Sequence, residues 1–107
     1  MKRPNWKRWE VILLVDMFYR VKNNSLDISQ ECHELSCFLR KSNLDLALKD
    51  QSYRNVEGVL MKYQNIRHIV DGKGLSGHSK LDIEIVELYQ NNRQSFDIEL
   101  KMILQCC

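Results

Sequence analysis

A segment near the start of the chain is apolar on nearly every side. Between Val11 and Tyr19 the only charged residue is Asp16. The β-branched and aromatic side chains of this segment would also suit a strand. The apolar pattern begins at Trp6 and continues to Lys22, which is longer than a typical strand. The sequence therefore predicts a well-buried first helix over residues 6–22.

The rest of the chain has the periodicity of amphipathic helices. The pattern predicts helices over residues 28–41, 54–70, 81–91 and 94–105, with N-caps at Asp27, at Ser52, and at Ser79 or Asp82. The short connector at 44–48 adds apolar side chains and could form one helical turn. The predicted inward face of segment 54–70 comprises Val56, Val59, Leu60, Tyr63, Ile66 and Val70. On this basis Leu60→Ala is expected to cost about 2–5 kcal/mol of stability.

Irregular structure is predicted at one place, the polar segment 71–80. It holds three of the four glycines, and the chain has one proline. Such scarcity of glycine and proline argues against disorder and against a turn-rich β-sandwich. We therefore predict an all-α fold. It is a compact bundle of about five helices with a Gly-rich loop at 71–80, and residues 1–107 form a single helical domain.

The composition indicates neither a membrane protein nor a secreted one. The longest uncharged apolar run, Val11–Val15, is too short to span a bilayer, and the Met1–Pro4 start lacks the apolar core of a signal peptide. We therefore expect a cytoplasmic protein whose cysteines are thiols. Their spacing does not match a zinc site, so Cys32 and Cys37 are predicted as small core residues, and Cys106 and Cys107 as an exposed tail.

Catalysis is the function that the sequence supports least. The three histidines are scattered, and no nucleophile elbow, P-loop or zinc-ligand set is present. Asp82, Glu84 and Glu87 are predicted to form a solvated acidic helix face rather than a metal site. We expect a protein that is not an enzyme and that uses no cofactor or metal.

A hypothesis of DNA binding rests on segments 28–41 and 54–70. With their connection they resemble a helix-turn-helix core, although the connection is longer than the turn of that motif. Residues 52–80 carry five basic and two acidic side chains. Amides and guanidinium groups on a second helix can contact bases and phosphates in the major groove. The candidate DNA-binding residues are Arg54, Asn55, Lys62, Asn65 and Arg67, together with Lys73 and Lys80 of the loop. The same polar face would equally suit an ordinary core helix that turns one side to water.

The chain also resembles a known family. The central pattern is Tyr53-Arg-Asn-Val-Glu-Gly-Val-Leu-Met-Lys-Tyr-Gln-Asn65, then Gly74-Leu75, then Ser79-Lys80-Leu-Asp82. Weaker matches are Trp9-Glu10, Leu14, Asp16, Tyr19-Arg20, Leu35-Ser36 and Leu39-Arg40. Together they resemble the small N-terminal helical domain that precedes the nuclease domain in bacterial HNH-type and modification-dependent restriction endonucleases. The resemblance covers about residues 6–90.

The resemblance implies an accessory domain that recognises double-stranded DNA in a restriction or defence system. Arg54, Asn55, Lys62 and Asn65 would then be its binding residues by match to the motif. It further implies a nuclease domain or subunit as partner, because residues 1–107 contain no HNH motif. The chain departs from the pattern at Val56-Glu57, where the family often has Pro or Asn. Because Glu57 is acidic, its position is less suited to binding a phosphate group.

A second functional class stays open at this point. The small net charge of +2 and the acidic residues of segment 81–99 suit a protein-interaction module, for which Trp6 or Trp9 would supply an exposed aromatic anchor. Such a module could be a phage or mobile-element protein that binds a host defence enzyme, or a subunit of a larger complex. The sequence leaves the oligomeric state undetermined.

Overall fold

The described part of the chain is all-helical, as predicted. The computed structural model describes residues 5–106, and no strand occurs among them. The helices are α1 (Arg8–Asn24), α2 (Ile28–Lys41), α3 (Leu44–Lys49), α4 (Val56–Asp71), α5 (Lys80–Asn91) and α6 (Arg93–Gln105). Helix α3 lies in the segment predicted as a connector. Because it forms a short helix, the described residues contain six helices instead of the predicted five.

The first helix lies at the centre of the bundle. It contacts α2, α4, α5 and α6, and its buried side chains include all those from Val11 to Val15 together with Met17 and Phe18. A helix that is apolar on every side is stable in water only when neighbours cover it. The prediction of a well-buried first helix is therefore confirmed, and α1 organises the other helices around it.

Side-chain caps fix where the later helices begin. The Asp27 carboxylate accepts from the backbone N–H groups at the start of α2, and Ser79 and Asp82 form a reciprocal capping box at α5. Both of these caps were predicted. The predicted cap at Ser52 is wrong, because the Asn55 side chain accepts from the Gly58 N–H at 2.8 Å and starts α4 there. Such caps are worth about 0.5–2 kcal/mol each.

The connection between α2 and α4 separates this fold from a tight helix-turn-helix. The two helices pack against each other, but residues 42–55, which include α3, lie between them. A helix-turn-helix has a turn of about three or four residues. The arrangement is thus a helical pair with a long, partly helical connection.

The inward face of α4 is narrower than the predicted one. Val59, Tyr63 and Ile66 are buried, whereas Leu60 is 38% exposed. Because successive residues of an α-helix are about 100° apart, Leu60 lies to one side of the stripe that Val59, Tyr63 and Ile66 form. The prediction that Leu60 is a core residue is therefore wrong.

The cysteines differ from the prediction in which of them are buried. Cys32 is fully buried in the core as expected, but Cys37 is exposed on α2, so its assignment to the core is wrong. Cys37 lies five positions after Cys32, which places it on the solvent side of the helix. Cys106 is exposed as predicted, and Cys107 lies outside the described residues.

Within residues 5–106, no helix combines the length and the apolar character that crossing a bilayer requires.

Two leucines test this packing. Leu39→Ala is expected to lower the free energy of unfolding by about 2–5 kcal/mol, since Leu39 is fully buried and its truncation leaves a cavity. Leu60→Ala should cost less than about 1 kcal/mol, because the side chain is already partly in water. Urea denaturation of both variants measures the difference. Equal losses would contradict the described orientation of α4.

Thiol reactivity provides a second test. Burial raises the pKa of the Cys32 thiol to about 11, and the side chain has no exposed surface. Because the thiolate is the reactive form, native protein treated with iodoacetamide at pH 8 should be alkylated rapidly at Cys37 and Cys106 and barely at Cys32. Peptide mass mapping distinguishes the sites. Rapid modification of Cys32 in native protein would contradict its burial.

Candidate nucleic-acid interface

The turn that leads into α4 is held by side chains of α2. Arg54 adopts a left-handed backbone conformation with φ of 47°, which is uncommon for a residue other than glycine. The buried Ser36 hydroxyl donates to the Arg54 carbonyl at 2.6 Å. The Arg40 guanidinium donates to the carbonyls of Gln51 and Tyr53. These contacts fix the turn, so the direction of the Arg54 side chain is set by the fold.

That side chain turns into the protein. The Arg54 guanidinium donates to both carboxylate oxygens of Glu10, at 3.0 Å each, and to the Asn5 carbonyl at 3.0 Å. Only 5% of the Arg54 side chain and 2% of the Glu10 side chain are exposed. Arg54 was a predicted DNA contact, and in the structure its charge is neutralised by a buried carboxylate of α1.

Lys62 is paired in a similar way with α5. Its ammonium lies 2.9 and 2.8 Å from the two oxygens of Asp82, a residue with no exposed surface. One Asp82 oxygen also accepts from the Ser79 backbone N–H as part of the capping box. The prediction of a solvated Asp82 is therefore wrong, because this carboxylate serves both as a cap and as the partner of Lys62.

A tryptophan lies beside both cations. The Arg54 guanidinium carbon is 4.8 Å from the centroid of the Trp6 ring, and the Lys62 nitrogen is 5.8 Å from it. Both distances suit cation–π attraction. Trp6 and Trp9 pack against the core, so each of these two candidate aromatic anchors is only partly exposed.

These groups surround a cleft with a volume of about 550 Å³. We call it the α4 cleft. Its lining includes Trp6, Arg54, Gly58, Met61, Lys62 and Asn65. Five of these, Arg54, Gly58, Met61, Lys62 and Asn65, belong to the central sequence pattern of segment 53–82. The pattern thus corresponds to one place in the structure.

The glycine loop, residues 72–79, is fastened along one side of α4. The Asn65 amide nitrogen donates to the carbonyls of Leu75 and Ser76, at 3.0 and 3.4 Å. The Leu75 N–H donates to the Gln64 carbonyl at 3.2 Å. Gly74 has φ of 87°, and a Cβ there would lie 2.6 Å from the Gln64 carbonyl oxygen. Only glycine permits so close an approach.

The surface that carries the loop is cationic. Arg67 lies under Gly74, and Lys73 and Lys80 are exposed on the loop and at the start of α5. None of the three forms an ion pair with a described residue. The rings of His68 and His78 stack with centroids 5.5 Å apart, which adds another contact between the loop and α4.

The predicted residues therefore divide into two groups. Arg54, Asn55, Lys62 and Asn65 are engaged inside the protein by an ion pair, a cap, a second ion pair and a loop contact. Arg67, Lys73 and Lys80 form no ion pair with any acidic residue of the described chain.

Neither acidic partner was predicted to pair with a cation: Asp82 was predicted as a candidate cap and as part of a solvated face, and Glu10 only matched the family pattern. Glu10 stands between Trp9 and the apolar run, and Asp82 is the third residue after the capping Ser79. An acid next to a buried apolar segment signals a buried partner of opposite charge, and the capping pattern signals a carboxylate turned toward a helix terminus.

No group of three or more histidine, cysteine or acidic side chains in residues 5–106 is arranged to hold a metal ion. No protein-family model matches the chain, and no curated protein or solved structure is significantly similar to it. The geometry of this surface and the sequence pattern are thus the basis for a functional assignment.

The buried Glu10–Arg54 pair yields a stability prediction. Glu10→Gln is expected to lower the free energy of unfolding by about 3–5 kcal/mol, because it leaves the Arg54 charge uncompensated away from water. Arg93→Ala breaks the exposed Arg93–Asp97 pair and should cost less than about 1 kcal/mol. Chemical denaturation of both variants gives the comparison. A loss below 1 kcal/mol for Glu10→Gln would show that the ion pair does not hold α1 to the turn.

Proposed function

We propose that the chain is an accessory DNA-binding domain without catalytic activity of its own. The observation that carries the proposal is the glycine loop, which is held against α4 and lies beside Arg67, Lys73 and Lys80, cations that have no acidic partner among the described residues. DNA-binding proteins gain most of their affinity from such cations, which displace counterions from the phosphates.

The loop suits a phosphate backbone for two reasons. The loop together with the first residue of α5 contains Lys73 and Lys80 and no acidic residue. Its shape is set before binding by the contacts of Asn65 and Gln64, so little conformational entropy is lost when DNA binds. Backbone N–H groups of a fixed loop add further phosphate contacts.

The engaged residues have a different role in this proposal. Arg54 and Lys62 hold α4 between α1 and α5, Asn55 starts the helix, and Asn65 fastens the loop. They shape the surface, while Arg67, Lys73 and Lys80 contact the phosphates. Lys62 retains one N–H beyond the two that bind Asp82, since an ammonium has three donors.

The resemblance of segment 53–82 to the helical domain of bacterial restriction endonucleases supports the same proposal. On this basis the ligand is double-stranded DNA, with modified DNA as one form of it, and the partner is a nuclease domain or subunit. The setting is restriction or defence in the bacterial cytoplasm.

Removal of Arg67, Lys73 and Lys80 tests the proposal. The triple variant Arg67→Ala, Lys73→Ala, Lys80→Ala should bind labelled duplex DNA more weakly, whatever its sequence. The slope of log affinity against log salt should fall by about 2–3, because each phosphate contact contributes about 0.9. Fluorescence anisotropy at several salt concentrations measures both quantities, with unmodified and cytosine-methylated duplexes compared in parallel.

The matched control removes three exposed lysines elsewhere, in the variant Lys41→Ala, Lys49→Ala, Lys101→Ala. It changes the net charge equally and should keep most of the affinity. Lys62→Ala is unsuitable as a test, since it would leave the buried Asp82 without its partner. Equal losses in the two triple variants, or no binding at low salt, would contradict the proposal.

A second candidate, a protein-interaction module, is favoured by a different surface. Helices α2 and α6 both pack on α1 and do not contact each other. The groove between them is lined by apolar side chains, among them Phe38, Leu100 and Leu104, and by four charged ones, Asp16, Arg20, Glu31 and Glu34. Helix α6 also leaves Ile98 and Met102 more than half exposed. Binding that maps to this groove rather than to the loop would favour the second candidate.

A further inference from the structure

We propose that the α4 cleft binds a single unpaired nucleobase. The inference rests on the proposed DNA-binding function and assigns a ligand to the cleft beside the cationic loop. The charge of the lining, the polar groups left unused and the aromatic ring each point to this class of ligand.

The charge of the cleft favours a neutral ligand. Arg54 and Lys62 are the only charged residues among those described as lining it. Each is bound by a carboxylate behind it, Glu10 and Asp82 respectively, at 2.8–3.0 Å. The two ion pairs cancel, so the cleft does not attract a phosphate strongly. The cations that suit phosphates are Arg67, Lys73 and Lys80, which have no acidic partner among residues 5–106.

Two polar side chains that can form further hydrogen bonds, Lys62 and Asn65, lie about one helical turn apart on α4. Lys62 donates two hydrogens to Asp82 and retains a third. The Asn65 nitrogen donates to two loop carbonyls, so its amide orientation is fixed and its oxygen remains an acceptor. Residues three apart on a helix are neighbours. A donor beside an acceptor matches the edge of a nucleobase, which carries both.

The remaining lining supplies a surface for a flat ring. Trp6 is partly exposed at the cleft, Gly58 contributes no side chain, and Met61 is 58% exposed. Indole rings stack on nucleobases of any identity. A volume of about 550 Å³ lies within the range of small-ligand pockets. The cleft therefore combines a stacking ring with hydrogen-bonding groups and no net charge.

The first test uses nucleosides, which carry a base and no phosphate. In ¹⁵N NMR spectra of the full chain, adenosine, cytidine, guanosine or thymidine at millimolar concentration should shift the indole signal of Trp6 and the side-chain amide of Asn65. The indole of Trp9, the only other tryptophan, is the internal control and should stay unchanged. Ribose and inorganic phosphate are the ligand controls. Shifts with these controls alone, or none with any nucleoside, would overturn the proposal.

The second test uses duplexes with and without one bulged nucleotide. The wild-type chain should bind the bulged duplex about tenfold more tightly, as expected for one base stacked on an aromatic ring. Trp6→Ala should abolish this preference and leave the affinity for the fully paired duplex unchanged. Trp6→Phe should retain most of the preference and guards against a folding defect in the alanine variant. Equal affinities of the wild-type chain for both duplexes would overturn the proposal.

Failure of this inference and failure of DNA binding give different results. The chain could bind paired duplex in a salt-dependent way and show no response to nucleosides or bulges. That result would rule out the nucleobase site but not the DNA-binding function. Protein NMR signals that shift with nucleosides, without any binding of duplex, would support a nucleobase site in the cleft and rule out the DNA-binding function.

Discussion

The buried ion pair between Glu10 and Arg54 connects the first turn of the central helix to the turn that starts α4, 44 positions later in the chain. Burying two charges costs several kcal/mol unless good geometry and further hydrogen bonds compensate. Here both Glu10 oxygens accept from Arg54, and one also accepts from the Lys7 backbone N–H at 2.7 Å. Arg54 reaches Glu10 because its backbone is held in a left-handed conformation by α2. The start of α4 is therefore fixed by contacts from both α1 and α2.

A second ion pair extends this arrangement to α5. Lys62 of α4 binds Asp82, which also closes the capping box at the start of α5. Between them the two pairs hold the polar side of α4 against its neighbours. Arg54 and Lys62, two of the predicted DNA contacts, are thereby used for structure. The cations left for a partner lie on Arg67, the glycine loop and the first residue of α5, where Asn65 keeps the loop in place.

Much of the fold follows from local signals in the sequence. The all-round apolar pattern of α1, the caps at Asp27 and Ser79 and the glycine loop each predicted the observed structure. Leu60 was misplaced because a one-residue difference in helix phase decides whether a side chain at the edge of an apolar stripe is covered. The inward direction of Arg54 depends on Glu10, Ser36 and an unusual backbone conformation, none of which local periodicity encodes. A polar helix face has the same composition whether its partners are in the chain or in a ligand, so only the tertiary arrangement separates Arg54 and Lys62 from Lys73 and Lys80.

In the proposed function, DNA binds to the surface formed by α4, the glycine loop and the start of α5. The most direct measurement is a ¹⁵N NMR titration of the backbone amides of the full chain with a short duplex at low salt. If DNA binds there, the shifts should concentrate in residues 64–67 and 72–80, with little change on α2 and α6. Shifts centred on the groove between α2 and α6, or no shifts at protein-saturating DNA, would contradict the proposal.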